Sequence, residues 1–84
     1  MSTREKESAL NRACAEYLRK AKAVRRPRPS NASLGEATGL KADQVRRLLD
    51  NQATFTMDTF LSIAEALGIN AMDALAGALT EVDG

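Results

Sequence analysis

The side chains best suited to chemistry are gathered within residues 41–47. Arg46 and Arg47 can each donate paired hydrogen bonds, either to guanine N7 and O6, which discriminates by about 1–3 kcal/mol, or to phosphate, which adds affinity without sequence information. Gln44 can pair with adenine. Asp43 can accept from cytosine N4 or cap its own helix, and we prefer the capping role. These donors and acceptors favour recognition of nucleic acid.

The rest of the sequence gives little support to catalysis. Histidine is absent and Cys14 is the single cysteine, which argues against Ser-His and Cys-His catalysis, zinc fingers and disulfide frameworks. We therefore expect no enzyme, no metal and no cofactor. A lone cysteine fits a reducing compartment. Because no apolar run reaches the length of a membrane span, we expect a cytoplasmic protein that does not enter a membrane.

The elements that must position these side chains are helices. Apolar residues recur at steps of three and four, and no stretch shows a convincing period of two. The 84 residues suffice for one all-α domain, 1–84, with flexible ends at 1–6 and 80–84. The predicted helices cover 7–24, 31–38, 42–50, 57–67 and 71–79. The residues that begin or end them are Ser30 or Asn31, Gly39, Thr56, Gly68 and Asn70.

The segment 33–48 predicts two short helices joined by a tight turn at Gly39. Gly35 is the small residue that lets the two helices approach closely. This pattern is typical of a helix-turn-helix, whose second helix enters the major groove of DNA. The apolar anchors of the pair are Leu34, Leu40, Val45 and Leu48.

Charge is divided unevenly along the chain. Residues 1–51 carry twelve bases and six acids, a balance of +6, whereas residues 52–84 carry five acids and no base, a balance of −5. The run 19–28 holds six bases and no acid. It is interpreted either as an edge that grips phosphate or as a solvated helix end. The division predicts a nucleic-acid partner on the N-terminal side.

The sequence resembles the Cro/C1-type (XRE-like) helix-turn-helix repressors of phages and bacteria over roughly residues 30–75. The segment 56–69, with its Ala-x-x-Leu-Gly ending, is similar to the family's fourth helix, and residues 70–75 to the start of the fifth. The resemblance implies a compact five-helix lambda-repressor-like domain that binds operator DNA. The motif residues that carry it in the first half are Gly35, Gly39, Leu40, Val45 and Leu48.

The resemblance also assigns roles to side chains. Val45, Leu48 and Leu49 would face inward. The base-reading set would be Lys41, Ala42, Asp43, Gln44, Arg46 and Arg47. The phosphate-binding set would be Asn31, Asn51 and Thr54, joined by Arg25, Arg26 and Arg28 of the basic run. The chain departs from the family at Asp43, where a neutral polar side chain is more usual, and in the proline-rich basic insert 26–30.

Two kinds of partner are expected. Double-stranded DNA is the first, bound by a homodimer whose two-fold seam is the last helix, with the first helix as the alternative. The seam residues would be Met72, Leu75, Leu79 and Val82. The alternative is a protein-interaction module on the same fold, such as an antitoxin or anti-repressor. The acidic, partly apolar segment 52–84 favours this alternative.

Overall fold

A computed structural model describes the backbone of residues 3–83 and the side chains of residues 9–82. The prediction of an all-α chain with five helices is confirmed, and no strand occurs within the described residues. The helices are α1 (Thr3–Val24), α2 (Asn31–Thr38), α3 (Ala42–Leu49), α4 (Met57–Ala66) and α5 (Ala71–Asp83).

Two helices extend beyond their predicted bounds. α1 begins at Thr3, four residues before its predicted start, because residues 4–7 are arginine, glutamate and lysine, which all favour helix. α5 continues to Asp83 instead of ending at 79, and Glu81 in its last turns makes an ion pair of 2.8 Å with Lys20 of α1. That pair raises the pKa of Lys20. Residues 1, 2 and 84 lie outside the described residues.

The predicted capping residues are confirmed. Ser30 is the N-cap of α2, where its hydroxyl accepts from the Ser33 amide at 3.0 Å. Gly39 ends that helix in the left-handed conformation at φ 78°, which glycine adopts without steric cost. Thr56 and Asn70 accept hydrogen bonds at the starts of α4 and α5 in the same way as Ser30. Gly68 follows α4 with a positive φ, as Gly39 follows α2.

The core is a single apolar cluster to which every helix contributes. Its largest fully buried side chains are Leu18, Leu34, Val45 and Ile63. Cys14 is buried in the same cluster, and burial raises the pKa of its thiol. The thiol is therefore kept from the thiolate form on which cysteine reactivity depends.

The backbone of α5 packs closely against the Tyr17 side chain of α1. Gly77 faces the ring of Tyr17, and a Cβ on residue 77 would overlap that ring. The Tyr17 hydroxyl donates to the carbonyl of Asp73 at 3.5 Å, and its ring lies 6.4 Å from that of Phe60 between centroids. α5 is thus an integral part of the domain.

Within residues 3–83 no single helix is long and apolar enough to cross a membrane, although α4 and α5 satisfy that test jointly as a pair bent by 112°.

Candidate nucleic-acid interface

The joint between α2 and α3 depends on Gly35. A Cβ on this buried residue would lie 2.5 Å from the carbonyl oxygen of Leu40, a distance that side-chain carbons do not reach. The same glycine's carbonyl accepts the Leu40 amide at 2.9 Å and also that of Gly39. α2 therefore turns tightly into the segment that leads to α3, as the sequence predicted.

α3 has a buried face and an exposed face. Val45, Leu48 and Leu49 are buried in the core, which confirms the inward positions predicted from the sequence. The predicted base-reading residues Lys41, Ala42, Asp43, Gln44, Arg46 and Arg47 are all exposed. The packing of three apolar residues fixes the helix, so its polar face is presented to solvent on a rigid element.

The cap of α3 is made differently from the prediction. Lys41 occupies the N-cap position, and its amide donates to Oε1 of Gln44 at 2.9 Å. Asp43 lies in the first turn of α3, where the helix dipole stabilises an acid, but the cap hydrogen bond is made by Gln44 and the Asp43 carboxylate faces Arg46. This bond occupies one of the two acceptor positions of Oε1, so Gln44 keeps the other position and its amide nitrogen for an outside partner.

Asp43 lies between the two arginines of α3. Its Oδ1 is 3.0 Å from Nη2 of Arg46, and its Oδ2 is 3.6 Å from Nε of Arg47. Asp50 approaches Arg46 from the following turn, with 3.5 Å between Oδ2 and Nη1. Asp43, chiefly through its hydrogen bond, raises the pKa of Arg46 further above its ordinary value. All four groups are exposed, so these pairs add little to folding stability.

Asn11 is a functional candidate that the sequence reasoning missed. Its Nδ2 donates to Asn51 Oδ1 at 2.8 Å and to the Ala53 carbonyl at 3.0 Å, while its Oδ1 accepts the Phe55 amide at 2.7 Å. These bonds fasten the loop after α3 to α1. Asn51 has φ 59°, a left-handed conformation that asparagine tolerates better than most residues.

A signal for Asn11 was available in the sequence. The residue precedes the buried Cys14 by three positions and Leu18 by seven, which places its amide on the apolar stripe of α1. A polar residue on such a stripe needs hydrogen-bond partners, although the sequence does not reveal which ones.

The predicted phosphate-binding residues outside the basic run lie at two places, the start of α2 and the loop after α3. Asn31 begins α2 and accepts a hydrogen bond of 2.7 Å from Lys22, which brings a cation to that helix N-terminus. Asn51 and Thr54 lie in the loop after α3, and both are exposed. Neither Asn31 nor Asn51 is a free amide, because each already accepts a bond from α1.

Two arginines of the basic run, Arg25 and Arg26, lie at the carboxyl-terminal ends of helices. Arg26 Nη1 donates to the carbonyls of Ala23 at 2.9 Å and Arg25 at 3.2 Å, so it caps the end of α1. The Arg25 guanidinium lies against Gly68, just past the end of α4. Cations are stabilised at such carboxyl-terminal ends. Arg28 is exposed in the connection to α2.

The predicted dimer residues differ in exposure. Met72 is 77% exposed, Leu79 59% and Val82 42%, whereas Leu75 is half-buried and packs against the core. Three of the four are therefore accessible on α5.

Metal binding finds no support in the described residues, which hold no group of three or more cysteine, aspartate or glutamate side chains able to share an ion. Comparison with protein-family models, with curated proteins and with solved structures gave no match.

Proposed function

We propose that this protein is a sequence-specific DNA-binding transcriptional regulator of the phage or bacterial repressor type, in which α2 and α3 form the helix-turn-helix of a lambda-repressor-like domain. The observation that carries the proposal is the exposed polar face of α3, held on the core by Val45, Leu48 and Leu49. Eight residues of helix span about 12 Å, which is comparable to the width of the major groove.

The surroundings of α3 supply phosphate contacts on this proposal. The N-terminus of α2 carries a partial positive charge, and Lys22 adds a full one beside Asn31. The loop held by Asn11 presents Asn51 and Thr54 after α3. Contacts before and after a reading helix fix its register on the duplex, and the bases then decide specificity.

The first test is DNA binding itself. Duplexes selected from a random pool should bind with an affinity that falls as salt rises, with a log–log slope near −0.9 for each phosphate neutralised. Arg47→Gln should weaken binding about tenfold. The loss should depend on one base position if Arg47 contacts a base, and should be equal for all sequences if it contacts phosphate. Fluorescence anisotropy with a set of point-substituted duplexes distinguishes these two roles. The matched control is Arg12→Gln, which removes one charge from an exposed side chain of α1 outside the basic run 19–28. Binding indifferent to salt, or absent, would refute the proposed function.

The exposed apolar residues of α5 favour a two-fold homodimer on the same proposal. Leu79→Asp should convert the dimer to a monomer in sedimentation equilibrium, because a carboxylate would replace an apolar contact in the seam. Met57→Asp is the control, since Met57 is 59% exposed, the same as Leu79, but lies on α4. A wild-type protein that stays monomeric at high concentration would contradict the dimer, and a copurifying protein seated on α5 would favour the antitoxin or anti-repressor alternative.

A further inference from the structure

The arrangement of Asp43 among the arginines of α3 carries an inference that rests on the proposed function and makes it more specific. Both oxygens of Asp43 face a guanidinium, at 3.0 Å for Arg46 and 3.6 Å for Arg47. Each carboxylate oxygen has two acceptor positions and each arginine five donors, so the pairs leave both kinds of group able to bind outside partners. A donor and an acceptor are thus held side by side on the exposed face of α3.

We propose that α3 reads a G·C base pair with this combination, in which Arg46 donates to guanine N7 and O6 while Asp43 accepts from the amino group of the paired cytosine. The major-groove edge of G·C presents two neighbouring acceptors and then a donor. An A·T pair instead places its donor between two acceptors, which removes the bidentate site for arginine.

The ion pairs also orient the reading groups before DNA arrives. Arg46 donates a hydrogen bond of 3.0 Å to Asp43, which limits the rotamers of its long side chain, whereas Asp50 contributes a longer ion pair of 3.5 Å. A side chain that is already ordered loses less entropy when it binds. Asp43 in the first turn of α3 is further stabilised by the positive end of the helix dipole.

Asp43 also acts against wrong sequences. When the base pair opposite Asp43 presents only acceptors, the carboxylate has no donor to bind and is repelled by those acceptors. The same carboxylate competes with DNA phosphates for Arg46 and Arg47. The three bases Lys41, Arg46 and Arg47 on α3 and its N-cap are offset by the two acids Asp43 and Asp50, so the local charge is only +1. Such a helix gains little from phosphate alone and depends on a matching base pair.

The experiment compares Asp43→Asn with Asp50→Asn. Each variant removes one carboxylate that faces Arg46, but Asp50 lies after the end of α3. Binding sites are selected from random duplexes for the wild type and both variants, and affinities are then measured by anisotropy with every base at each selected position. Circular dichroism confirms that the variants remain folded.

The wild type should require G·C at one position, with the other base pairs weaker by roughly tenfold or more. Asp43→Asn should weaken the preference for G·C, because a neutral amide accepts from the cytosine amino group less strongly than a carboxylate and its own N–H donors no longer exclude the acceptors of other base pairs. Asp50→Asn should strengthen binding to all duplexes alike and leave the preference in place. If both variants strengthen all sequences by the same factor, Asp43 only tunes charge and the inference is wrong. Loss of all DNA binding in the wild type would instead refute the proposed function.

Discussion

Gly35→Ala should lower the free energy of unfolding by roughly 2–3 kcal/mol, although alanine favours helix over glycine by about 1 kcal/mol. The added Cβ would stand 2.5 Å from the carbonyl oxygen of Leu40, and a backbone atom cannot move aside as the end of a side chain can. The turn between α2 and α3 must therefore open. A thermal melt followed by circular dichroism should show a midpoint lower by about 10 °C or more, given about 4–8 °C per kcal/mol for a domain of this size.

The control for helix propensity is Ala37→Gly in the same helix. Ala37 is exposed, so this variant removes a Cβ without relieving any close approach and should cost only about 1 kcal/mol. Propensity alone predicts opposite signs for the two variants, whereas the steric argument predicts that both destabilise. A Gly35→Ala protein that melts at or above the wild-type midpoint would contradict the close approach of α2 to the turn.

Local signals explain why much of the fold could be predicted. The caps at Ser30, Gly39 and Thr56 depend on residues at most four positions away, and the structure confirms them. The inward face of α3 follows from the spacing of Val45, Leu48 and Leu49 in the same way. The outer bounds of α1 and α5 were predicted too short, and at the end of α5 the ion-pair partner of Glu81 is Lys20, which is distant in sequence.

The candidate site was harder to predict because its groups have more than one local option. Asp43 is spaced to reach Arg46 and Arg47 along the helix and also stands where acids stabilise a helix start. Spacing alone does not decide between these, and Gln44 takes the cap bond in the structure. The partners of Asn11 lie about forty positions along the chain and depend on how α1 packs against the loop after α3.

Asn11→Ala should destabilise the protein by about 2 kcal/mol, and the effect should centre on the loop that follows α3. The side chain makes three hydrogen bonds at 2.7–3.0 Å, two of them to part-buried backbone groups. Each such bond contributes about 0.5–1.5 kcal/mol, and the Phe55 amide would be left without its acceptor. The better helix propensity of alanine offsets only part of that loss. Thermal melting measures the total, and hydrogen exchange should show lost protection at the Phe55 amide.

Asn51→Gly separates the bond between the two amides from the bonds to the backbone. Glycine adopts the φ of 59° at residue 51 freely, so this variant removes only the Asn11–Asn51 hydrogen bond. It should cost well under half of what Asn11→Ala costs and leave the Phe55 amide protected. Equal losses in the two variants would mean that the amide pair, and not the backbone bonds, holds the loop. If the proposed function is right, Asn11→Ala should also weaken DNA binding without altering base preference, because the loop carries Asn51 and Thr54, the proposed phosphate contacts.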